Sequence, residues 1–567
     1  MKKTVFTIMA LVFAVASTMA QSVDDGIKAL YYEKTKTAEN ILQQAVNKNS
    51  KDAQAIYWLG QAYIQDENVQ QAQALYQKAL NDGINDPWIW VGMGNIDLWN
   101  GDVNAAKQKF EQAITATTAT RGRNKGKPNP QILDAIGRAN AQGPSKMGDP
   151  QYAIEKLKQA KELDPQNPDI DINLGINYLK LGPNYGGQAV EAFRDATTLD
   201  PKYAAAYARI GRVYQSQDNT QSMNEWYGKA IAADPTYAPV YFNYFDYYRN
   251  RDVNAAKEFL DKYVANSDQD CKTQAYVADY LFRAGKYQES IAKIDSMANG
   301  DCKTFPGINL LYAYNYNRLG DSTKALQAMQ TFFQSTPEAG RTPDQYVLAG
   351  RIFSSVSGNE DSAVSYLQKA MELDTVAKNK SRYIDSISAI YKRTNQPQKR
   401  LEWVKKSYEL ANPPTNRDVY DLADAAMNAD SLVLADSMYA KYERDYPDQI
   451  YGYIGRVKVA QAMDTPGAQA VGPINDYINF LMKDTTKNGA TIAYYHAILG
   501  GYYANVVKNL DSSLNEFNMA VRFDPSNQQY QQYQKLLQDA LDKQNNQKNS
   551  PANKPKSGAK SSSGAKK

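Results

Sequence analysis

Histidine is almost absent from this chain: His496 is the only one in 567 residues. That rules out paired-histidine metal motifs and leaves no second imidazole to share a zinc ion. Long apolar runs are also missing beyond the first twenty residues, so no later segment is expected to span a bilayer. A basic folded surface is lacking too. The net charge is +4, but residues 544–567 hold six lysines and no acid, and Lys2 and Lys3 add two more. Removing these eight leaves about −4 on the intervening body, which carries no nucleic-acid footprint.

What is present is apolar material for a long core, 43% of residues, and an excess of tyrosine, 42 against 15 phenylalanines. Tyrosine combines a large apolar face with a hydroxyl and suits half-buried or binding surfaces. The N-terminus reads as an export signal: Lys2 and Lys3, an apolar run from Val5 to Ala16, then small residues up to Ala20. Cleavage is expected before Gln21, and no cysteine nearby marks a lipid-anchored form. These features predict a periplasmic or secreted protein.

From Ser22 to Pro525 the sequence cycles through paired amphipathic stretches separated by turn residues. One copy is Tyr207, Ile210, Gly211, Tyr214, Met223, Tyr227, Ala230 and Pro235, with Pro201 standing 34 residues before Pro235. Others are Leu59, Gly60, Tyr63, Ala72, Tyr76 and Ala79; Trp90, Gly94, Ala106, Phe110 and Ala113; and Ala313, Tyr316, Ala325, Phe332 and Pro337. This order of small, aromatic and proline positions resembles the tetratricopeptide repeat. The resemblance implies an all-α, right-handed superhelical solenoid of roughly 12–14 helix-turn-helix repeats over residues 21–542. Residues 1–20 are then the signal peptide, Asn527 to Lys543 a capping helix, and residues 543–567 a disordered lysine-rich tail. Irregular stretches at Arg121–Pro150 and Ala462–Ala493 are the expected places for a bend or break.

Two glycine clusters imitate nucleotide motifs. Gly92-Met93-Gly94 lacks the final glycine of a dinucleotide fingerprint and falls on the repeat's own glycine position; packing is the expected role. Gly122 to Lys127 resembles a phosphate loop, but Pro128 stands where magnesium would need a hydroxyl. Neither cofactor nor metal is expected, and His496 is expected to pack or face solvent. Cys271 and Cys302 sit in matching Asp-Cys-Lys-Thr tetrapeptides. An even pair in an export compartment suggests a disulfide. Equivalent positions in stacked repeats, roughly 10 Å apart, argue against one. The bridge is the expectation carried forward.

Members of the resembled family bind partners in a concave groove lined by the first helix of each repeat. The resemblance thus implies a non-enzymatic scaffold for protein or peptide partners, with no nucleic acid. Tyr241, Tyr244 and Tyr248, and Tyr312, Tyr314, Asn317 and Arg318, are the expected groove residues; Trp88 and Trp99 form a weaker third pair. Some members grip a peptide carboxylate through a Lys, Asn, Asn, Lys, Arg set. Asn173 and Arg209 fall at two of those positions, but Ala205 replaces a lysine, so that clamp is not expected. The lysine tail has two readings, weak contact with anionic envelope polymers or simple solubilisation. Two other functions stay open: an accessory subunit of an envelope assembly or secretion complex, and a glycan-acting enzyme on a helical frame using a carboxylate pair.

Overall fold

In a computed structural model, residues 22–463 and 467–548 are described; the expected signal peptide and most of the lysine tail lie outside them. The described residues are helical throughout, with short connecting turns and no strand. The chain divides into two units, one ending at Asp321 and the other beginning at Ser322.

The first unit opens with α1 (Val23–Tyr31) and α2 (Thr35–Lys48). Pairs follow as α3 (Ala53–Gln65) with α4 (Val69–Asn81), α5 (Pro87–Trp99) with α6 (Val103–Thr117), and α7 (Pro130–Ala141) with α8 (Pro150–Leu163). Next come α9 (Pro168–Leu181) with α10 (Gly186–Leu199), and α11 (Ala204–Ser216) with α12 (Thr220–Ala233). The last pairs are α13 (Ala238–Tyr248) with α14 (Val253–Asn266) and α15 (Cys271–Arg283) with α16 (Tyr287–Asn299), followed by α17 (Ile308–Leu319).

The second unit starts with α18 (Ser322–Ser335) and continues with α19 (Pro343–Ser354) and α20 (Glu360–Leu373), then α21 (Ala377–Arg393) and α22 (Pro397–Leu410). Beyond these lie α23 (Asn416–Asn428) with α24 (Leu432–Asp445), α25 (Tyr451–Met463) with α26 (Val471–Leu481), and α27 (Thr485–Tyr502) with α28 (Leu510–Phe523). The predicted cap is α29 (Gln528–Lys548), which runs five residues past the expected Lys543.

Local signals set the helix ends. The side chains of Asp52, Asp86, Asp102, Asp149 and Asp270 accept backbone N–H groups in the first turns of α3, α5, α6, α8 and α15. Where a first helix gives way to its second, Glu33, Glu67 and Gly101 each adopt positive φ, 34 residues apart, so the turn repeats with the period of the sequence. Packing follows the same period. A Cβ added at Gly60 would lie 2.1 Å from the Tyr76 ring, and one at Gly94 would lie 2.4 Å from Phe110. Gly175 and Gly211 meet Phe193 and Tyr227 in the same way. The small residue lets paired helices approach closely, and the aromatic ring fills the space it leaves.

The breaks expected at residues 121–150 and 462–493 are not where the chain divides. One apolar cluster joins Phe110 and Ala113 to Ile132 and Ile136 across the first stretch. Another joins Val457, Ile474 and Ile492 across the second. In the first, residues 121–127 are exposed while the flanking helices keep their apolar faces together; in the second, Ala470 is itself buried in the cluster.

Candidate functional site

The first helices of successive repeats line the concave side of the first unit, and α1 closes that side. The Tyr31 ring lies 5.1 Å from Tyr203 and 5.2 Å from Tyr237. The Tyr32 hydroxyl donates to Asp234 Oδ2 at 2.6 Å, and the Ala205 N–H donates to the Tyr31 hydroxyl at 3.2 Å. No side chain of its own caps α2. Asp268, more than two hundred residues later, does so: it accepts the N–H groups of Lys36 and Thr37 at 2.9 and 3.1 Å and the Thr37 hydroxyl at 2.6 Å.

This closure leaves a recess of about 470 Å³ walled by α1, α3, α7, α9 and α11. A polar chain crosses its floor. Asn95 Nδ2 donates to Gln142 Oε1 at 2.8 Å, Gln142 Nε2 to Gln61 Oε1 at 3.1 Å, and Gln61 Nε2 to the Tyr76 hydroxyl at 3.2 Å. The Arg138 guanidinium lies 4.5 Å over the Trp58 ring and 2.6 Å from Asp134, which also accepts from Asn173 at 2.8 Å. Burial would lower the Arg138 pKa, but Asp134 together with Tyr57 and Asp169 outweighs it and raises it; burial pushes Asp134 itself up. Burial also lowers Lys180 to about 8, although its ammonium donates to the carbonyls of Asn140 and Gln142. Arg209 lines the recess half-buried, with no ion pair among the described residues, and the indole N–H groups of Trp58 and Trp99 are buried without partners. The wall therefore offers aromatic faces and both signs of charge, Arg209 beside the carboxylates of Glu33, Glu67 and Asp169.

Among the described residues no group of three histidine, cysteine or acidic side chains could hold a metal ion. No described helix is long and apolar enough to cross a membrane.

The sequence-predicted groove residues fare unevenly. Tyr241 and Tyr244 are 5% and 6% exposed, a correction to their expected place on an open groove. The Tyr244 ring stacks on Phe259 at 4.1 Å and meets Tyr227 at 4.8 Å, and the Tyr241 hydroxyl donates to the Pro235 carbonyl at 2.8 Å. Packing between repeats consumes these rings, and burial pushes the Tyr244 hydroxyl up to about 12. Tyr248 is half-buried on the same stack. Tyr312 donates to Asp295 at 2.6 Å, while Tyr314 contacts Phe282 from another face of α17, so the two do not form one patch. Asn317 is half-buried; Arg318 is exposed at the end of α17 and borders a separate recess. Of the tryptophan pair, Trp99 lines the concave recess and Trp88 packs on Tyr57 at 4.8 Å. His496 is 8% exposed, and its Nδ1 lies 2.7 Å from Glu516.

Cys271 and Cys302 are bonded, with Cα atoms 5.4 Å apart. The spacing argument against the bridge fails because only Cys271 begins a helix. Cys302 lies in the turn before α17, folded inward against Ile294, Met297 and Ile308.

Sequence reasoning missed the recess. Asn173 and Arg209 do line it, but Tyr31, Tyr203 and Tyr237 come together only through curvature accumulated over several repeats.

Models of the tetratricopeptide repeat match residues 29–87 and residues 204–237. The chain is 29% identical over 111 residues to a small glutamine-rich tetratricopeptide repeat-containing protein of Mycosarcoma maydis, 19% of this chain and 31% of that one. It is 35% identical over 95 residues to the type IV pilus assembly protein PilF of Pseudomonas aeruginosa, 16% of this chain and 37% of that protein. Across four such relatives the chain spans between 7% and 37% of their length. Among solved structures, human IFIT1, a dimer with PPP-AAAA, is similar at 16% identity and a TM-score of 0.41, over 75% of this chain and 95% of that one. Stacked helix pairs joined glycine to ring, in register with the two matched stretches, make this a tetratricopeptide repeat protein.

Proposed function

We propose that the chain is a non-enzymatic scaffold of the cell envelope that holds protein or peptide partners on its repeat surfaces. The observation that carries this reading is the concave recess, where several repeats contribute one wall of aromatic faces and charged groups, with Arg209 in no ion pair among the described residues. Such a wall, with the carboxylates of Glu33, Glu67 and Asp169 beside Arg209, suits an extended or helical segment of mixed polarity. The export pattern of residues 1–20 supports a periplasmic or secreted location. The likeness to a pilus assembly protein supports a narrower form of the reading, an accessory subunit of an envelope assembly complex.

The test is affinity capture from envelope extracts with the full chain beside Arg209→Glu, both checked for equal helicity. A partner held by the parent and lost by the variant supports the scaffold. Equal capture by both removes the recess from the reading. Glycan cleavage by the purified chain would favour the enzymatic alternative.

A further inference from the structure

Apart from the concave recess, the turn edge of three consecutive repeats carries a row of arginines. Arg249 follows α13, Arg283 ends α15 and Arg318 lies in the last turn of α17. Neighbours are 34 and 35 residues apart, one repeat each, so stacking sets them side by side. With Arg251 they border a recess of about 370 Å³ that also includes Phe282 and Tyr287.

Internal pairing does not use up this charge. Arg249 lies 2.9 Å from Asp246, Arg283 lies 2.7 Å from Asp279, and Arg251 lies 3.3 Å from Asp218. Asp279 also reaches Arg249 at 3.9 Å, so one carboxylate is shared between two guanidinium groups. Arg318 makes no hydrogen bond or ion pair among the described residues, and Arg249 Nε is buried without a partner. Four guanidinium groups thus face three carboxylates, on a body whose overall charge is negative. Attraction to a helix C-terminus accounts for an arginine at each position separately. It does not account for their convergence on one recess or for the unpaired Arg318.

We propose that this recess docks an extended acidic peptide segment of a protein partner, a surface distinct from the concave one. Adjacent repeats stand roughly 10 Å apart, close to one three-residue turn of a polyproline-II segment, so carboxylates at every third position lie on one face and meet successive arginines. Planar guanidinium forks match carboxylates, and Phe282 and Tyr287 supply apolar contact for the intervening side chains. This inference rests on the scaffold reading.

The test is fluorescence anisotropy at low salt with the full chain and a labelled peptide of Glu-Ser-Thr repeated four times. A Gln-Ser-Thr peptide and inorganic phosphate serve as controls. The acidic peptide is expected to bind and to weaken with added salt, and Arg318→Gln is expected to lower its affinity by about tenfold or more. Arg318 is exposed, so its replacement leaves the fold intact; Arg393→Gln, in the second unit, should change nothing. Unchanged affinity in Arg318→Gln, equal binding of the glutamine peptide, or displacement by equimolar phosphate would overturn the proposal. Capture sensitive to Arg209→Glu would survive any of those results, which separates failure here from failure of the scaffold itself.

Discussion

In the first unit, Gly60, Gly94, Gly175 and Gly211 each press on an aromatic ring of the helix that follows. Leucine stands in for the ring at Gly26 and Gly137 of that unit and at Gly350 of the second, where Gly500 again meets a ring, Phe517, and Gly455 faces Tyr439 of the preceding helix. The second unit differs instead in its helix lengths. There α21 extends to 17 residues and α27 to 18, the latter followed by a π-turn at Tyr503–Val507. The most exposed large apolar side chains, Val433 at 80% and Leu536 at 63%, also lie there. Small rotations summed over the repeats of the first unit bring α1 back against α11 and α13, and the recess lies between them.

Five predictions probe the comparison. Gly94→Trp should destabilise the first unit by about 3 kcal/mol or more, because the indole must displace Phe110. Thermal melting followed by circular dichroism checks it, and a melt like that of the parent would show that the glycine contact does not set the stack. Reduction, or Cys271→Ser with Cys302→Ser, should remove about 3 to 4 kcal/mol by freeing a loop of 31 residues. Denaturant titration with and without reductant reads that loss.

Asp268→Ala should cost about 1 to 2 kcal/mol and raise hydrogen exchange in α1 and α2, since it removes the cap of α2. Acid should act on the same closure. Burial would raise Asp234, but the hydroxyls of Tyr32 and Thr236 hold it below the ordinary carboxylate range. Its contribution is therefore complete above about pH 4 and is lost as pH falls through the depressed value. Protection of α1 should fade at that point while α5 stays protected; simultaneous loss would mean that the closure has no separate stability. Gly228→Ala should be the smallest effect, a gain of about 1 kcal/mol, because a Cβ there meets nothing and the residue sits inside α12.

The repeat was legible because its causes are local. The glycines, the aspartate caps and the proline stops act within one hairpin, and their period shows in the sequence. The placement of Tyr241 and Tyr244 was not legible. An aromatic residue on every face of α13 signals surplus only when the neighbouring helices are unseen, and α11, α12 and α14 use those rings for packing. The bridge between Cys271 and Cys302 was suggested by pairing but opposed by spacing, and the inward fold of one turn resolved the conflict.

By itself the sequence determined the helical hairpin, its period and the contacts that join each pair, because these depend on residues close together in the chain. Only the tertiary structure decided which surfaces remain open. Small rotations summed over many repeats bring Tyr32 to Asp234 and Thr37 to Asp268, and no local pattern records where such a sum arrives.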